Sequence, residues 1–115
     1  MNIYSHKNVF LNNAYTQEYY KIVETAQQQN RKKYRKIDPA YVYYESHHVL
    51  PKSIFPEHEQ DKWNKVLLTA KEHLVCHQLL LQMIEKGKAY FQMVRAYHNM
   101  AIRKTNDMPR YELTP

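Results

Sequence analysis

The chain has 115 residues, with 17 lysines and arginines against 11 aspartates and glutamates, which gives a formal net charge of +6 at pH 7. This length predicts one small domain, and a hydrophobic content of 43% supports a compact core and argues against wholesale disorder. The basic balance favours a polyanionic partner such as nucleic acid, but an ordinary basic soluble protein has the same charge.

Cysteine content and hydropathy indicate the cellular compartment in which the protein is expected. Cys76 is the single cysteine, so an internal disulfide is excluded, which fits a reducing compartment. The sequence has no apolar stretch near the ~20 residues of a membrane span. Its N-terminus lacks the apolar run of a secretion signal. We therefore expect a cytoplasmic protein with no membrane partner.

The first predicted element is a helix over residues 16–35, with Thr16 as its N-cap. Its apolar face has helical spacing and comprises Tyr19, Ile22, Val23 and Ala26. The helix closes in a basic run that contains Arg31, Lys32, Lys33 and Arg35, and Asp38-Pro39 breaks it. These cations either suit a helix C-terminus or contact the phosphates of a nucleic acid, and the sequence leaves both interpretations open.

Two short strands with a long connection follow. Residues 41–44, Tyr-Val-Tyr-Tyr, are rich in β-formers and predict a strand that leads into His47 and His48. The tyrosines of this segment either pack within the protein or stack on bases. A loop is expected over residues 51–62, and residues 66–68 predict a second strand that pairs with the first as a hairpin.

Two helices complete the predicted order. Thr69 and Glu72 form a capping box that begins a helix over residues 70–86, and Gly87 is expected to end it as a left-handed cap. The expected buried stripe of this helix is Ala70, Leu74, His77, Leu81 and Ile84. A last helix over residues 88–104 is expected to pack through Tyr90, Val94, Tyr97 and Ala101, before a tail at residues 106–115. The order predicts an α+β domain with a strand–strand–helix core at residues 41–86.

Four histidines fall within this core. His73 and His77 are four residues apart, so they share one helix face and can bind one metal ion. His47 and His48 are adjacent, so in an extended segment they point to opposite sides, and one can bind the metal while the other moves a proton. Three imidazoles leave coordination positions open for water or substrate, which is typical of a catalytic site. The pattern predicts metal-assisted hydrolysis of a polyanion.

The runs around these histidines carry a family resemblance. Residues 47–53, His-His-Val-Leu-Pro-Lys-Ser, and the run from Asn64 through the second strand to the helix with His73 resemble HNH nucleases of the ββα-metal type. The similarity is strongest to phage and mobile homing endonucleases of that family. It implies a ββα-metal core with flanking helices, DNA endonuclease activity and one divalent ion, with Mg²⁺ expected first and Zn²⁺, Ni²⁺ or Mn²⁺ as alternatives. If a phage encodes the protein, the expected location is the host-cell cytoplasm.

The resemblance also implies roles for individual residues. His48 would deprotonate the attacking water, and one ion would be held by His47, His73 and His77. Asn64 would brace the loop that aims His48, and Glu45 would support a ligand. Cleavage would leave a 5′-phosphate and a 3′-hydroxyl.

Other features qualify the resemblance. Lys52 and the basic run Arg31, Lys32, Lys33 and Arg35 are candidates for phosphate contact. Residues 54–58 replace the glycines that many relatives carry, and the Cys-x-x-Cys pairs of other relatives are absent. The alternative function is a non-catalytic nucleic-acid-binding module with a structural metal site, which would explain the ligands but leaves His48 without a role.

Overall fold

The structure is a computed structural model that describes residues 9–102, 104–105 and 108–109. Its main elements are three helices and one two-stranded antiparallel sheet, so the predicted α+β class is confirmed. In chain order these elements are α1 (Ala14–Gln28), β1 (Glu45–His48), β2 (Lys65–Leu68), α2 (Ala70–Met83) and α3 (Lys88–Ile102). Two more short strands, β3 (Lys104–Thr105) and β4 (Met108–Pro109), pair with each other, and the rest of the expected tail lies outside the described residues. Within the described part of the chain, none of the helices is long and apolar enough to cross a membrane.

Helix α1 begins two residues before the predicted start. Its N-cap is Asn13, whose side-chain oxygen accepts a hydrogen bond from the Thr16 backbone N–H at 2.9 Å. Thr16 therefore lies inside the first turn, where its hydroxyl donates to the Leu11 carbonyl at 2.6 Å. The predicted N-cap was wrong because the asparagine three residues earlier satisfies the free N–H groups of the helix.

Helix α1 also ends earlier than predicted, at Gln28 instead of near residue 35. Asn30 has a φ angle of 50°, the left-handed conformation that asparagine tolerates and that commonly ends a helix. The basic run is therefore not a helix end. It lies in a segment, residues 29–44, that contains no helix or strand.

The first strand of the sheet is Glu45–His48, so it begins four residues later than the predicted strand at residues 41–44. Glu45 pairs with Leu68 and His48 pairs with Lys65. Since Thr69 already caps α2, β2 has no further residues with which residues 41–44 could pair. The predicted antiparallel pairing is confirmed, and the histidine pair lies inside the strand.

The predicted capping box of α2 is confirmed. The Glu72 N–H donates to the Thr69 hydroxyl at 3.1 Å, and the Thr69 N–H donates to the Glu72 carboxylate at 2.8 Å. The buried face differs from the predicted stripe, and comprises His73, Cys76, Leu80 and Met83. The face is rotated by about one residue from the predicted stripe, and α2 packs on α1, on α3 and on the sheet.

The C-terminus of α2 is Met83, three residues before the predicted end. The Leu11 N–H donates to the Met83 carbonyl at 2.6 Å, and the Asn13 side chain donates to the Gln82 carbonyl at 3.0 Å. Hydrogen-bond donors from the residues before α1 therefore satisfy free carbonyl groups at the end of α2. Gly87 does not have a left-handed conformation, and its carbonyl accepts from Phe91 at 3.0 Å in the first turn of α3.

The core lies between α1, α2 and the sheet. Its fully buried large side chains are Tyr19, Tyr20, Val23, Val49, Leu50, Phe55, Asn64, Leu68, Cys76, Leu80 and Met83. Helix α3 packs through Met93 and Met100, while Tyr90, Val94, Tyr97 and Ala101, the expected contact face, are only partly buried.

Candidate metal centre

Three histidines converge where β1 meets α2. One ring nitrogen each from His47, His73 and His77 lies within 4.8 Å of the others. The three ring centroids are 5.0 to 5.2 Å apart. His47 and His73 are only 2% and 8% exposed. The predicted grouping of these three side chains is confirmed, and their spacing is close enough for one metal ion.

The hydrogen bonds of Tyr19 determine which nitrogen of His47 is available. The Tyr19 hydroxyl donates its one proton to the Val49 carbonyl at 2.6 Å. Toward His47 Nε2, at 2.8 Å, the same oxygen must therefore accept, so Nε2 carries the proton and Nδ1 keeps a lone pair. Burial raises the pKa of Tyr19 well above its usual value, which keeps this hydroxyl protonated.

His73 is oriented in the same manner by a carboxylate. Its Nδ1 lies 2.7 Å from Glu45 Oε1, which can only accept, so Nε2 of His73 is the atom available to a metal. The other oxygen of Glu45 accepts from the Tyr43 hydroxyl at 2.6 Å. Glu45, on β1, therefore orients His73, which lies on α2. An acceptor behind a ligating imidazole fixes its tautomer and raises its basicity.

The electrostatics of the centre keep His47 uncharged. Burial lowers the pKa of His47 well below its usual value, and the nearby imidazoles of His77 and His73 lower it further. A neutral imidazole is the form that binds a metal. The donor set therefore fits a divalent ion.

His48 has a different environment from its neighbour. It is partly buried, and its Nε2 lies 3.1 Å from the Glu59 carbonyl oxygen. Because a carbonyl can only accept, Nε2 carries the proton and Nδ1 is left able to take one. His48 also lines a cleft of about 260 Å³ together with His47, His73 and His77.

The rest of the cleft comes from the loop after β1 and from α3. Lys52, exposed and positively charged, lines it beside Ser53, and Gln92 and Met93 form part of the facing wall. The Ser53 hydroxyl lies 3.6 Å from the Met93 sulfur, so the loop and α3 meet at this edge.

Asn64 ties the connection between the strands to the end of β1. It is fully buried, its side-chain oxygen accepts from Leu50 N–H at 2.7 Å, and its amide nitrogen donates to the Leu50 and His58 carbonyls, both at 3.1 Å. Its own carbonyl accepts from Val49 N–H at 2.8 Å. Asn64 therefore holds two segments next to His48. One is Leu50, which follows His48 closely in sequence, and the other is His58, which precedes the Glu59 that accepts from the His48 ring.

The basic run has a different placement. Arg31 donates to both carboxylate oxygens of Glu72, at 2.6 and 3.1 Å, and to the Leu67 carbonyl at 3.1 Å. Its guanidinium is thus engaged within the protein, where it lowers the pKa of Glu72. Lys32, Lys33 and Arg35 are exposed, and none of the run lines the cleft.

Two tyrosines that contact the centre were not singled out as site residues from the sequence. Tyr19 was expected as part of an apolar helix face, and Tyr43 as a strand residue that packs within the protein or stacks on bases. Neither spacing nor composition indicates which distant groups their hydroxyls reach. Cys76 is fully buried in the core, and burial raises its pKa to about 12, so it behaves as a packed thiol.

The fold and the site define a small α+β protein with a candidate metal centre of three histidines. No protein-family model, no curated protein and no solved structure matches this chain.

Proposed function

We propose that this protein is a metal-dependent endonuclease of the HNH type that hydrolyses DNA phosphodiester bonds through a ββα-metal core. The observation that carries the proposal is the shared cleft. His48, which is not part of the three-histidine cluster, lines the same cavity as the cluster and has a ring nitrogen left to accept a proton. A structural metal site has no need of such a group.

The donor set bears on the choice of metal. Nδ1 of His47, Nε2 of His73 and one nitrogen of His77 would hold the ion, and no carboxylate belongs to this cluster of described residues. Imidazole suits Zn²⁺ and Ni²⁺, whereas Mg²⁺ prefers oxygen ligands. We therefore place a transition ion ahead of the Mg²⁺ that the sequence resemblance implied. When bound, the ion would neutralise charge that develops on the phosphate during hydrolysis.

The chain's own residues would prepare the nucleophile. The Glu59 carbonyl holds the proton on His48 Nε2, so Nδ1 takes the proton from the water that attacks phosphorus. Asn64 keeps the loop segments on either side of that contact in place. Lys52 supplies a positive charge at the cleft for a phosphate oxygen.

The charge of the protein supports a polyanionic substrate, and the resemblance to HNH endonucleases makes DNA the proposed one. A net charge of +6 gives affinity for a phosphate backbone, and we expect binding to weaken as salt rises.

The test is plasmid cleavage with Mg²⁺, Mn²⁺, Ni²⁺ or Zn²⁺, comparing wild type with His48→Ala and His98→Ala. His98 is an exposed histidine on α3 and serves as the matched control. We expect His48→Ala to slow cleavage by about 10²–10⁴-fold with metal affinity retained, and His98→Ala to cleave normally. If His48→Ala cleaved the plasmid at the wild-type rate with every metal, His48 would have no role in the mechanism. Failure of the wild type to cut any DNA or RNA would overturn the enzyme proposal.

A second candidate is the non-catalytic nucleic-acid-binding module. It is favoured by the position of His47 and His73, which are buried on different elements, so that a bound metal would join β1 to α2 and stabilise the fold. It predicts DNA binding without cleavage. Removal of the metal by a chelator would then unfold the domain and abolish DNA binding together.

A further inference from the structure

A second concave surface, with lining residues different from those of the cleft, lies in the segment between α1 and β1. We call it the tyrosine groove; its volume is about 230 Å³, and its lining residues are Lys33, Tyr34, Lys36, Tyr41, Val42, Tyr43 and Tyr44. None of these residues lines the cleft at the metal centre. The proposed hydrolysis leaves the groove without a role.

Consecutive turns build the groove. The Asp38 N–H donates to the Arg35 carbonyl and the Tyr41 N–H donates to the Asp38 carbonyl, both at 2.9 Å. The Asp38 side chain also accepts from the Ala40 N–H at 2.8 Å. These turns fold the chain back on itself and bring the lysines beside the tyrosines.

Both ends of the groove segment are tied to the rest of the fold. Arg31 is paired with Glu72, and its guanidinium lies 5.1 Å from the centre of the Tyr44 ring. At the other end, the Tyr43 hydroxyl is bound to Glu45. The groove is therefore organised without a ligand, which reduces the entropy cost of binding.

The chemistry of the groove combines rings and cations. Tyr34 and Tyr43 are 42% and 41% exposed, and they line one groove together instead of lying singly on the surface. Lys33 and Lys36 are exposed beside them. The one acidic residue between positions 29 and 44 is Asp38, which is engaged in the turn. Alternating aromatic faces and ammonium groups are typical of surfaces that bind unpaired nucleic acid, where the bases stack and the phosphates are neutralised.

We propose that the tyrosine groove binds single-stranded DNA. A duplex hides its base faces, so only an unpaired strand can stack on Tyr34 and its neighbours. A second copy of the chain is a poor occupant because each copy carries a charge of +6.

The inference rests on the proposed function in one respect: the bound strand would be an unpaired part of the substrate. The groove reaches the metal centre through two hydrogen bonds. Tyr43 donates to Glu45, and Glu45 accepts from His73. A strand held in the groove would therefore lie on the side of the centre occupied by Glu45.

The experiment measures fluorescence anisotropy of a labelled oligothymidylate with the full-length His48→Ala protein and Zn²⁺, so that binding is separated from cleavage. Changing Tyr34 and Tyr41 to alanine should weaken binding roughly 5- to 150-fold for each base that loses its stacking partner. The same pair changed to phenylalanine keeps the rings and should bind as tightly as the parent. Tyr15→Ala removes an exposed tyrosine that lines none of the described cavities, and should have no effect.

A second variant tests the cations without touching the rings. Changing Lys33 and Lys36 to glutamine should lower the slope of log affinity against log salt by about 1.4, as two lost contacts to a single strand require. This variant retains the tyrosines. It keeps the proposal testable if circular dichroism shows that the alanine variant does not fold.

Several results would overturn the proposal: unchanged affinity in the folded alanine variant, an unchanged salt slope in the glutamine variant, or equal affinity for a duplex of the same length. Tighter binding of oligouridylate or of an acidic peptide would assign the groove to RNA or to a protein instead. The two proposals fail separately. Wild-type plasmid cleavage without groove binding rejects only this one, and groove binding by a protein that cuts nothing rejects only the nuclease.

Discussion

Replacing Tyr19 by phenylalanine removes one hydroxyl from the buried side of the metal centre and keeps the ring that packs in the core. That hydroxyl accepts from His47 Nε2 at 2.8 Å and donates to the Val49 carbonyl at 2.6 Å. Tyr19 and Val49 are fully buried, so water does not replace either contact. The substitution therefore tests whether α1 sets the protonation of a metal ligand.

Without metal, the variant leaves two buried groups without their partner. The Val49 carbonyl loses its donor, and His47 Nε2 loses its contact in either tautomer, as an N–H or as a lone pair. A buried orphaned polar group costs about 1–3 kcal/mol, so the two together cost about 2–6 kcal/mol. Since a domain of this size loses roughly 4 °C in Tm for each kcal/mol, we expect Tm to fall by roughly 8–24 °C.

Metal binding adds a second cost. A metal needs the lone pair of His47 on Nδ1, so the proton must be on Nε2, where the variant has no acceptor. Loss of the acceptor behind a ligating imidazole typically weakens metal binding about 10–100-fold, and we expect that range here.

Competition with a chromophoric chelator for Zn²⁺ or Ni²⁺ measures the affinity, and thermal unfolding of the metal-free protein measures stability. Tyr15→Phe is the matched control, since Tyr15 lies on the same helix and is 49% exposed. A lowered Tm with wild-type metal affinity would refute the reasoning, because Tyr19 would then support only the fold.

Further substitutions probe the remaining contacts. Glu45→Ala removes the acceptor behind His73, and should weaken metal binding about 10–100-fold in the same competition assay; unchanged affinity would mean that Glu45 does not support the ligand. Asn64→Ala leaves Leu50 and His58 backbone groups without partners, and should cost about 2–4 kcal/mol in urea unfolding, so wild-type stability would contradict the brace. Arg31→Ala tests a pH dependence, because the pKa of Glu72 is lowered chiefly by its hydrogen bond from Arg31. The pair therefore stabilises the fold fully above the ordinary glutamate pKa of ~4.3, and the stabilisation is lost as pH falls through the lowered pKa of Glu72. For this partly exposed pair, we expect the variant to unfold with about 1 kcal/mol less free energy than wild type at about pH 7. The difference should be smaller when it is measured at about pH 3, and an equal difference at both pH values would refute the linkage.

Local signals predicted the elements that local interactions control. The capping box of Thr69 and Glu72 begins α2 as predicted, because both partners lie within one helical turn. The antiparallel pair of strands was also predicted, but the β-formers at residues 41–44 placed the first strand one segment too early. The left-handed Asn30 was also a readable stop signal for α1, but the basic run after it suggested a longer helix.

Elements controlled by distant partners were not predictable in the same way. The end of α2 depends on Leu11 and Asn13, about 70 residues earlier in the chain, and so Gly87 is not needed as a cap. Similarly, Arg31 looked like its cationic neighbours until the fold placed it against Glu72, across 41 residues of sequence.

The sequence by itself determined that His73 and His77 can share a metal, because they are one helical turn apart. It also determined that only one of His47 and His48 can join them, because adjacent positions in a strand point to opposite sides. The family resemblance implied His47, and the structure places His47 in the cluster. Only the tertiary structure decided which ring nitrogen of His47, His73 and His48 is available. That choice depends on the Tyr19 hydroxyl, the Glu45 carboxylate and the Glu59 carbonyl, hydrogen-bond partners that the folding of separate segments brings to the rings.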